Sequence, residues 1–350
     1  MIMRRETRKV KVGNLFIGGD SAVTVQSMLN APAHDIEGNV LQAKRLEEAG
    51  CQIIRVAVPD MESVKTVAAL KESVAAPIVA DIHFNYKLAL ESIAAGVDKV
   101  RINPGNIGAD ENVKAVADMC RLKGVPIRIG VNSGSVEKEI LQKFGGPTPE
   151  AMAESAMYHV RLLEKFDFND IVISIKSSNV LSMIEAYERV SQMCNYPLHL
   201  GVTESGTERM GIIKSSVGIG SLLTRGIGDT IRVSLTDDPV KEVYACFDIL
   251  KGIGLYNETP SLVSCPTCGR TKIDLISLAN EIEEKLRTVK KSITVAVMGC
   301  AVNGPGEARE ADIGVAGGDG EGLIFKKGEI LRKVPQEKIV EELMKEIELM

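Results

Sequence analysis

From Ala22 to Leu250 the chain repeats one unit: a short apolar run rich in β-branched residues, a turn, and a stretch of helical periodicity. Strands are expected at Ala22–Met28, Cys51–Val58, Pro77–Ile82, Lys99–Ile102, Pro126–Val131, Asp170–Ile175, Pro197–Val202 and Thr230–Ser234. Helices are expected after them, near Glu37–Ala49, Met61–Val74, Tyr86–Ala95, Glu111–Leu122, Pro149–Lys165, Val180–Met193, Arg209–Leu223 and Pro239–Leu250. The strand runs are almost continuously apolar, as strands buried on both faces must be. Eight such units in succession predict an α/β fold, a (β/α)8 TIM barrel. A doubly wound open sheet would bring a glycine-rich nucleotide fingerprint, but Gly218-Ile219-Gly220 lacks the third glycine and no Walker A pattern occurs.

A strand pair with its turn at Gly13-Asn14 precedes the barrel, and Gly252–Pro260 forms a plausible joint behind it. Beyond the joint the pattern reads as a helix (about Lys272–Val289), a strand (Ile293–Met298), glycine-rich turns (Gly314–Gly322), a strand pair around Leu323–Leu331 and a closing helix (Gln336–Leu349). The expected organisation is a barrel domain over residues 1–257 and a small α+β domain over residues 258–350.

Composition excludes several classes. Aromatic residues are 4% of the chain and Trp is absent, so there is no base-stacking platform for nucleic acid. The net charge of −5 gives no attraction to nucleic acid or acidic membranes. No apolar run approaches the length of a membrane span, and the basic start is not followed by a secretory apolar core, so a cytoplasmic protein is expected. In that setting the seven cysteines are thiols. Cys51, Cys120, Cys194 and Cys246 stand singly in apolar or helical patterns and read as core residues.

In such barrels the chemistry gathers where strands end. Those ends carry Arg55, Asp81 with His83, Arg101, Arg128 with Asn132, Lys176, Glu204, and Arg232 with Ser234. Five cations come from five strands, each among apolar neighbours, and Asp81 and Glu204 are the only obvious carboxylates beside them. Burying an unpaired charge costs several kcal/mol, so the set implies a polyanionic ligand. Guanidinium forks suit phosphoryl oxygens, which points to a diphosphate. Glu204 is an acid–base candidate there, or a salt-bridge partner to Lys176 or Arg232. His159 and His199 read as structural.

The last quarter holds Cys265-Pro266-Thr267-Cys268-Gly269-Arg270, answered by Gly299-Cys300-Ala301-Val302-Asn303-Gly304-Pro305-Gly306-Glu307. Zinc ribbons, redox pairs and iron–sulfur sites all use C-x-x-C. A zinc ribbon wants a second such pair or two histidines, and no His follows position 199. Thioredoxin-like chemistry leaves Cys300 and its glycine turn unexplained. Three thiolates with an exchangeable oxygen ligand suit a 4Fe–4S cluster with one open iron, and Glu307 is placed to be that ligand or to sit beside it.

These motifs, with Val-Gln-Ser-Met near the start and Gly-Val-Thr-Glu-Ser-Gly at the seventh strand, closely resemble the hydroxymethylbutenyl diphosphate synthase family of the non-mevalonate isoprenoid pathway. The resemblance spans essentially the whole chain, in the short bacterial two-domain form. It implies reductive ring opening of methylerythritol cyclodiphosphate to the linear hydroxymethylbutenyl diphosphate, with loss of water and uptake of two electrons. It also implies a 4Fe–4S cluster on Cys265, Cys268, Cys300 and Glu307, and substrate binding by Arg55, Asp81, His83, Arg101, Arg128, Asn132, Lys176, Arg232 and Ser234. Glu204 would be the acid, and flavodoxin or ferredoxin the electron donor.

Topology adds an expectation about assembly. A helix over Pro239–Leu250, rising ~1.5 Å per residue, carries the chain ~18 Å from the mouth toward the opposite end of the barrel. The cluster would then come from a partner chain in a closed head-to-tail homodimer, as in the family. Two rival functions remain. A sulfite-reductase-like redox enzyme would need a fourth cysteine as a bridge to haem. A phosphate-binding barrel, in the manner of pterin synthases, would carry a zinc-stabilised domain.

Overall fold

Residues 2–300 and 308–350 are described by the computed structural model. The chain divides into two compact units, Met1–Ile253 and Gly254–Met350. The first opens with an antiparallel hairpin of β1 (Val10–Val12) and β2 (Leu15–Ile17) turning at Gly13-Asn14. Its buried Val12 and Ile17 pack on Ile53 and Val79, the lowest inward residues of two barrel strands. Arg4 pairs with Asp229 at 2.9 Å, and Arg5 donates to the Ser191, Cys194 and Tyr196 carbonyls, tying the N-terminal segment to the same end.

The strand–helix alternation then runs β3 (Thr24–Met28), α1 (Ile36–Glu48), β4 (Ile53–Ala57), α2 (Val64–Ser73), β5 (Ile78–Asp81), α3 (Tyr86–Ala94), β6 (Lys99–Ile102) and α4 (Asp110–Lys123). It continues through β7 (Ile127–Asn132), α5 (Lys138–Phe144), α6 (Pro149–Lys165), β8 (Ile171–Lys176), α7 (Val180–Met193), β9 (His199–Leu200), α8 (Glu208–Leu223), β10 (Thr230–Ile231) and α9 (Pro239–Gly252). The eight-stranded parallel sheet has the order β8-β7-β6-β5-β4-β3-β10-β9, and a bridge between Ile173 and Leu198 brings its ends together. This is the expected (β/α)8 barrel. Polar caps start the helices: Asp35, Asn85, Thr148, Asn179 and Asp238 each accept a first-turn backbone N–H, with proline opening α6 and α9.

Two local differences from the sequence reading are present. The excursion after β7 contains α5, which buries none of its residues and so shows no apolar stripe. Strands β9 and β10 are only two residues long, and just beyond them the two segments stay close: the Arg232 N–H donates to the Leu200 carbonyl, and a Cβ on Gly201 would lie 2.9 Å from the Arg232 carbonyl oxygen.

The second unit is a five-stranded sheet in the order β11 (Ser261–Ser264), β12 (Thr294–Met298), β13 (Ile313–Gly317), β14 (Glu321–Lys326) and β15 (Glu329–Pro335). The first three strands are parallel and the last two antiparallel. Helices α10 (Leu275–Leu286) and α11 (Ile339–Glu348) pack Ile282, Leu286, Leu343 and Ile347 against Val295, Val297, Ile313 and Val315. β11 was not expected; as a largely exposed edge strand it carries no buried run. The expected turns at Gly314–Gly322 also need correction, since Gly314 and Gly317 lie inside β13. A Cβ on Gly314 would meet the Phe325 ring and the Ala296 carbonyl, and one on Gly317 would meet Ile273, so these glycines serve close packing.

Candidate active site

Side chains on one face of the barrel strands build a polar interior. The register sets Asp81 beside Arg101, Arg101 beside Arg128, and Asn132 beside Lys176. Asp81 is buried and holds three groups together: Arg101 Nη1 at 3.3 Å, His83 Nε2 at 3.3 Å and Arg55 Nε at 3.9 Å. Burial alone would raise its carboxyl, but Arg55, His83 and Arg101 keep it well below the usual carboxylate range. Burial pushes the Arg55 guanidinium down to about 10 against the pull of Asp81. The same side chain donates to the Met28 sulfur, at 2.6 Å from Nη2. A Cβ on Gly130 would fall too close to Arg101 Nε, so a larger residue there would have to displace the guanidinium from its place beside Asp81.

Arg128 is completely buried, and among the described residues its side chain makes one hydrogen bond, 3.3 Å from Nη1 to Gln26 Oε1. Burial, then Arg55 and Arg101 as like-charged neighbours, push it well below the usual guanidinium range. A guanidinium nevertheless stays charged in proteins, so this cost becomes a demand for an anion. Lys176 is pushed well below its usual range first by burial and then by Arg55, Arg101, Arg128 and Arg232. Among the described residues neither Arg128 nor Lys176 has a carboxylate within ion-pair distance.

Arg232 differs. It pairs at 3.4 Å with Glu242 on α9, which is buried and also accepts from the Ser27 hydroxyl and the Leu235 N–H. Asp81 and Glu204 are therefore not the only carboxylates serving the strand ends. The signal was available: Glu242 shares the buried α9 stripe with Ala245, Cys246 and Ile249, where a charge needs a partner. Sequence reading also passed over Lys99, two residues before Arg101 on the same strand face, and Gln26, the partner of Arg128. His159 and His199 are both fully buried.

Glu204 sits in the loop after β9 in a left-handed conformation (φ 52°), which is uncommon for a side chain with a Cβ and recurs at functional sites. It is exposed and forms no ion pair with Lys176 or Arg232. The next residue, Ser205, donates its hydroxyl to the Ser234 carbonyl, joining the last two strand-end loops. The barrel thus brings Arg55, Asp81, His83 and Arg101 into direct contact, sets Arg128 beside them, and leaves Glu204 free on a constrained turn.

In the second unit β11 and β12 pair in parallel with Ser264 opposite Val297, so Cys265 and Gly299-Cys300 leave the sheet at the same end of their strands. The Gly299 N–H donates to Cys265 Sγ at 3.3 Å, and the Lys272 N–H donates to the Gly299 carbonyl at 3.0 Å, folding the 268–272 loop onto those strand ends. Cys268 is exposed, and the Arg270 backbone and side chain hold its thiol below the usual range. All cysteines are free. Among the described residues no three His, Cys, Asp or Glu side chains converge as a metal-binding group. Glu307 lies outside the described residues. The donor chemistry fits an iron–sulfur group: Cys265 and Cys300 after neighbouring strand ends, an N–H donor to sulfur, and no histidine in this unit.

No helix among the described residues is long and apolar enough to cross a membrane. The barrel resembles dihydropteroate synthases from Yersinia pestis (TM-score 0.51, 16% identity, 70% of this chain and 98% of that one) and Xanthomonas albilineans (TM-score 0.50, 15% identity, 70% and 96%). At these identities the likeness concerns the fold alone. The Clostridium perfringens 4-hydroxy-3-methylbut-2-en-1-yl diphosphate synthase (flavodoxin) is 61% identical over 99% of both chains. The protein of the same name from Caldanaerobacter subterraneus is 60% identical over 99% of this chain and 98% of its own. The GcpE TIM-barrel domain matches residues 7–247 and the GcpE protein C-terminal domain residues 261–349. Full-length similarity to these synthases and matches to both domains mean that the chain belongs to the GcpE family.

Proposed function

We propose that this chain is a 4-hydroxy-3-methylbut-2-en-1-yl diphosphate synthase that opens 2-C-methyl-D-erythritol 2,4-cyclodiphosphate reductively and releases water. The observation that carries the reading is the buried cluster of Arg55, Arg101 and Arg128, for which Asp81, paired with Arg55 and Arg101, is the one carboxylate partner among the described residues. These cations, with Lys176, Asn132, Arg232 and Ser234, bind the diphosphate and fix the ring. Asp81 keeps Arg55 and Arg101 aimed, and His83 gives the anion a further contact. Glu204 donates the proton that lets the hydroxyl depart as water. A 4Fe–4S cluster held by Cys265, Cys268, Cys300 and Glu307 would supply single-electron reduction and a Lewis-acidic iron, with flavodoxin, named in the relatives, as electron donor.

The proposal includes a head-to-tail homodimer, in which each basic mouth works with thiols from a second copy. Its support is α9, which begins just beyond the mouth strand β10 and leads away from it. Heterodimers of one Cys300→Ser and one Glu204→Gln chain should regain activity that neither homodimer has; verified heterodimers without rescue contradict the arrangement.

Anaerobic turnover tests the reaction itself. With reduced flavodoxin, the cyclic diphosphate should become a linear alkenyl diphosphate, followed by phosphorus resonance. An unchanged ring, with iron-loaded protein and a donor proven active on a known relative, overturns the proposal.

A further inference from the structure

Lys99 lies on β6 with no solvent exposure, and its Nζ has no hydrogen-bond partner. Among the described residues Gln26 Nε2, Arg55 Nη1, Arg101 Nε, and Arg128 Nε and Nη2 are likewise buried donors without a partner, and Arg128 and Arg55 are the cations that act on Lys99. An ammonium brings three more donors and no acceptor into this set. The uncharged amine removes one positive charge from this set.

The groups around the barrel interior come from every neighbouring strand. Arg55 comes from β4, Asp81 from β5, Arg101 from β6 itself, Arg128 from β7, Lys176 from β8, His199 from β9, and Arg232 from β10 with Glu242 behind it. Asp81 is engaged by Arg55, Arg101 and His83, and Glu242 by Arg232 and Ser27, so neither is left for Lys99. Burial first, then Arg128 and Arg55, keep Lys99 well below the usual lysine range. His199 is held well below its usual range, first by burial and then by Arg128.

We propose that Lys99 is a positioning residue whose protonation is coupled to polyanion binding: uncharged in the free barrel, it becomes an ammonium when a diphosphate settles among Arg55, Arg101 and Arg128. The inference rests on reading the mouth as a diphosphate site. An arriving anion neutralises the guanidinium field, and the proton then taken up strengthens the positive potential beneath the ligand without Lys99 touching it. Because binding takes up a proton, anion affinity falls as pH rises toward the lysine range.

The test is calorimetric titration of the full chain with inorganic pyrophosphate in buffers of different ionisation enthalpy, which counts protons directly. Lys176 contributes equally to wild type and variant, so the difference isolates Lys99. Lys99→Met should still bind pyrophosphate but take up about one proton fewer per site. Binding with an unchanged proton count overturns the role of Lys99. No binding by wild type instead overturns the diphosphate reading of the mouth. Thermal melting gives an independent check on the folded variant. A lysine kept neutral by the fold gains stability as pH rises toward its unfolded value of about 10.4. Lys99→Met should therefore melt higher than wild type at pH 7 and lose that advantage near pH 10. A gap that does not change with pH contradicts a neutral Lys99.

Discussion

Arg128 shows what a buried charge means in this barrel. It is enclosed, has Gln26 as its hydrogen-bond acceptor, and lies among Arg55 and Arg101. Even buried ion pairs can be replaced by well-packed apolar residues with a gain of about 1–4 kcal/mol, and a buried charge without a carboxylate partner is costlier still. Arg128→Met should therefore raise the melting temperature while abolishing pyrophosphate binding, seen by calorimetry. Asp81 should behave in the opposite way. Asp81→Asn leaves Arg55 and Arg101 uncompensated and should cost about 3–5 kcal/mol at neutral pH by chemical denaturation. Because the fold depresses this carboxyl, its contribution is complete above the unfolded value of about 3.9 and disappears as pH falls below it. The gap between wild type and variant should thus close in acid. Glu204 stands outside this ledger: exposed and unpaired, it can be changed to Gln without loss of stability. Turnover should fall by about 10²–10⁴-fold with little change in KM.

At the scale of elements, the thiols divide by environment. Burial raises the thiols of Cys51, Cys120 and Cys246, with Cys51 at about 12, whereas Arg270 lowers that of Cys268. In cluster-free protein at pH 7, iodoacetamide should label Cys268 well before those three, as peptide mass spectrometry would show. The strand–helix beat was legible throughout the barrel because each strand is buried on both faces, so hydrophobicity alone marks it. Lys99–Ile102, Pro149–Lys165 and Val180–Met193 fall where the pattern placed them. What escaped lacks that mark. β11 is an exposed edge, α5 buries nothing, and the glycines of β13 look like a turn until Phe325 is seen to cover Gly314. The mouth residues were legible as charges interrupting apolar strands. Their compensation was not, since Glu242 reaches Arg232 from a helix and Gln26 reaches Arg128 across the barrel.

For the whole molecule, two units carry two kinds of chemistry: a barrel rich in cations that suit phosphoryl oxygens, and a small domain with Cys265 and Cys300 at adjacent strand ends and Cys268 in the loop between. The cysteine spacing was open in sequence, while the Gly299 amide aimed at Cys265 became visible only in the fold. Neither unit holds both parts of the proposed reaction, so the identity of the group at the thiols decides between a reductive synthase and a phosphate-binding barrel stabilised by zinc. The most direct test is to isolate the full chain anaerobically and quantify iron, acid-labile sulfide and zinc per polypeptide. The account predicts about four irons and four sulfides per chain, both lost when Cys265, Cys268 or Cys300 is changed to Ser. Stoichiometric zinc without iron or sulfide would contradict it.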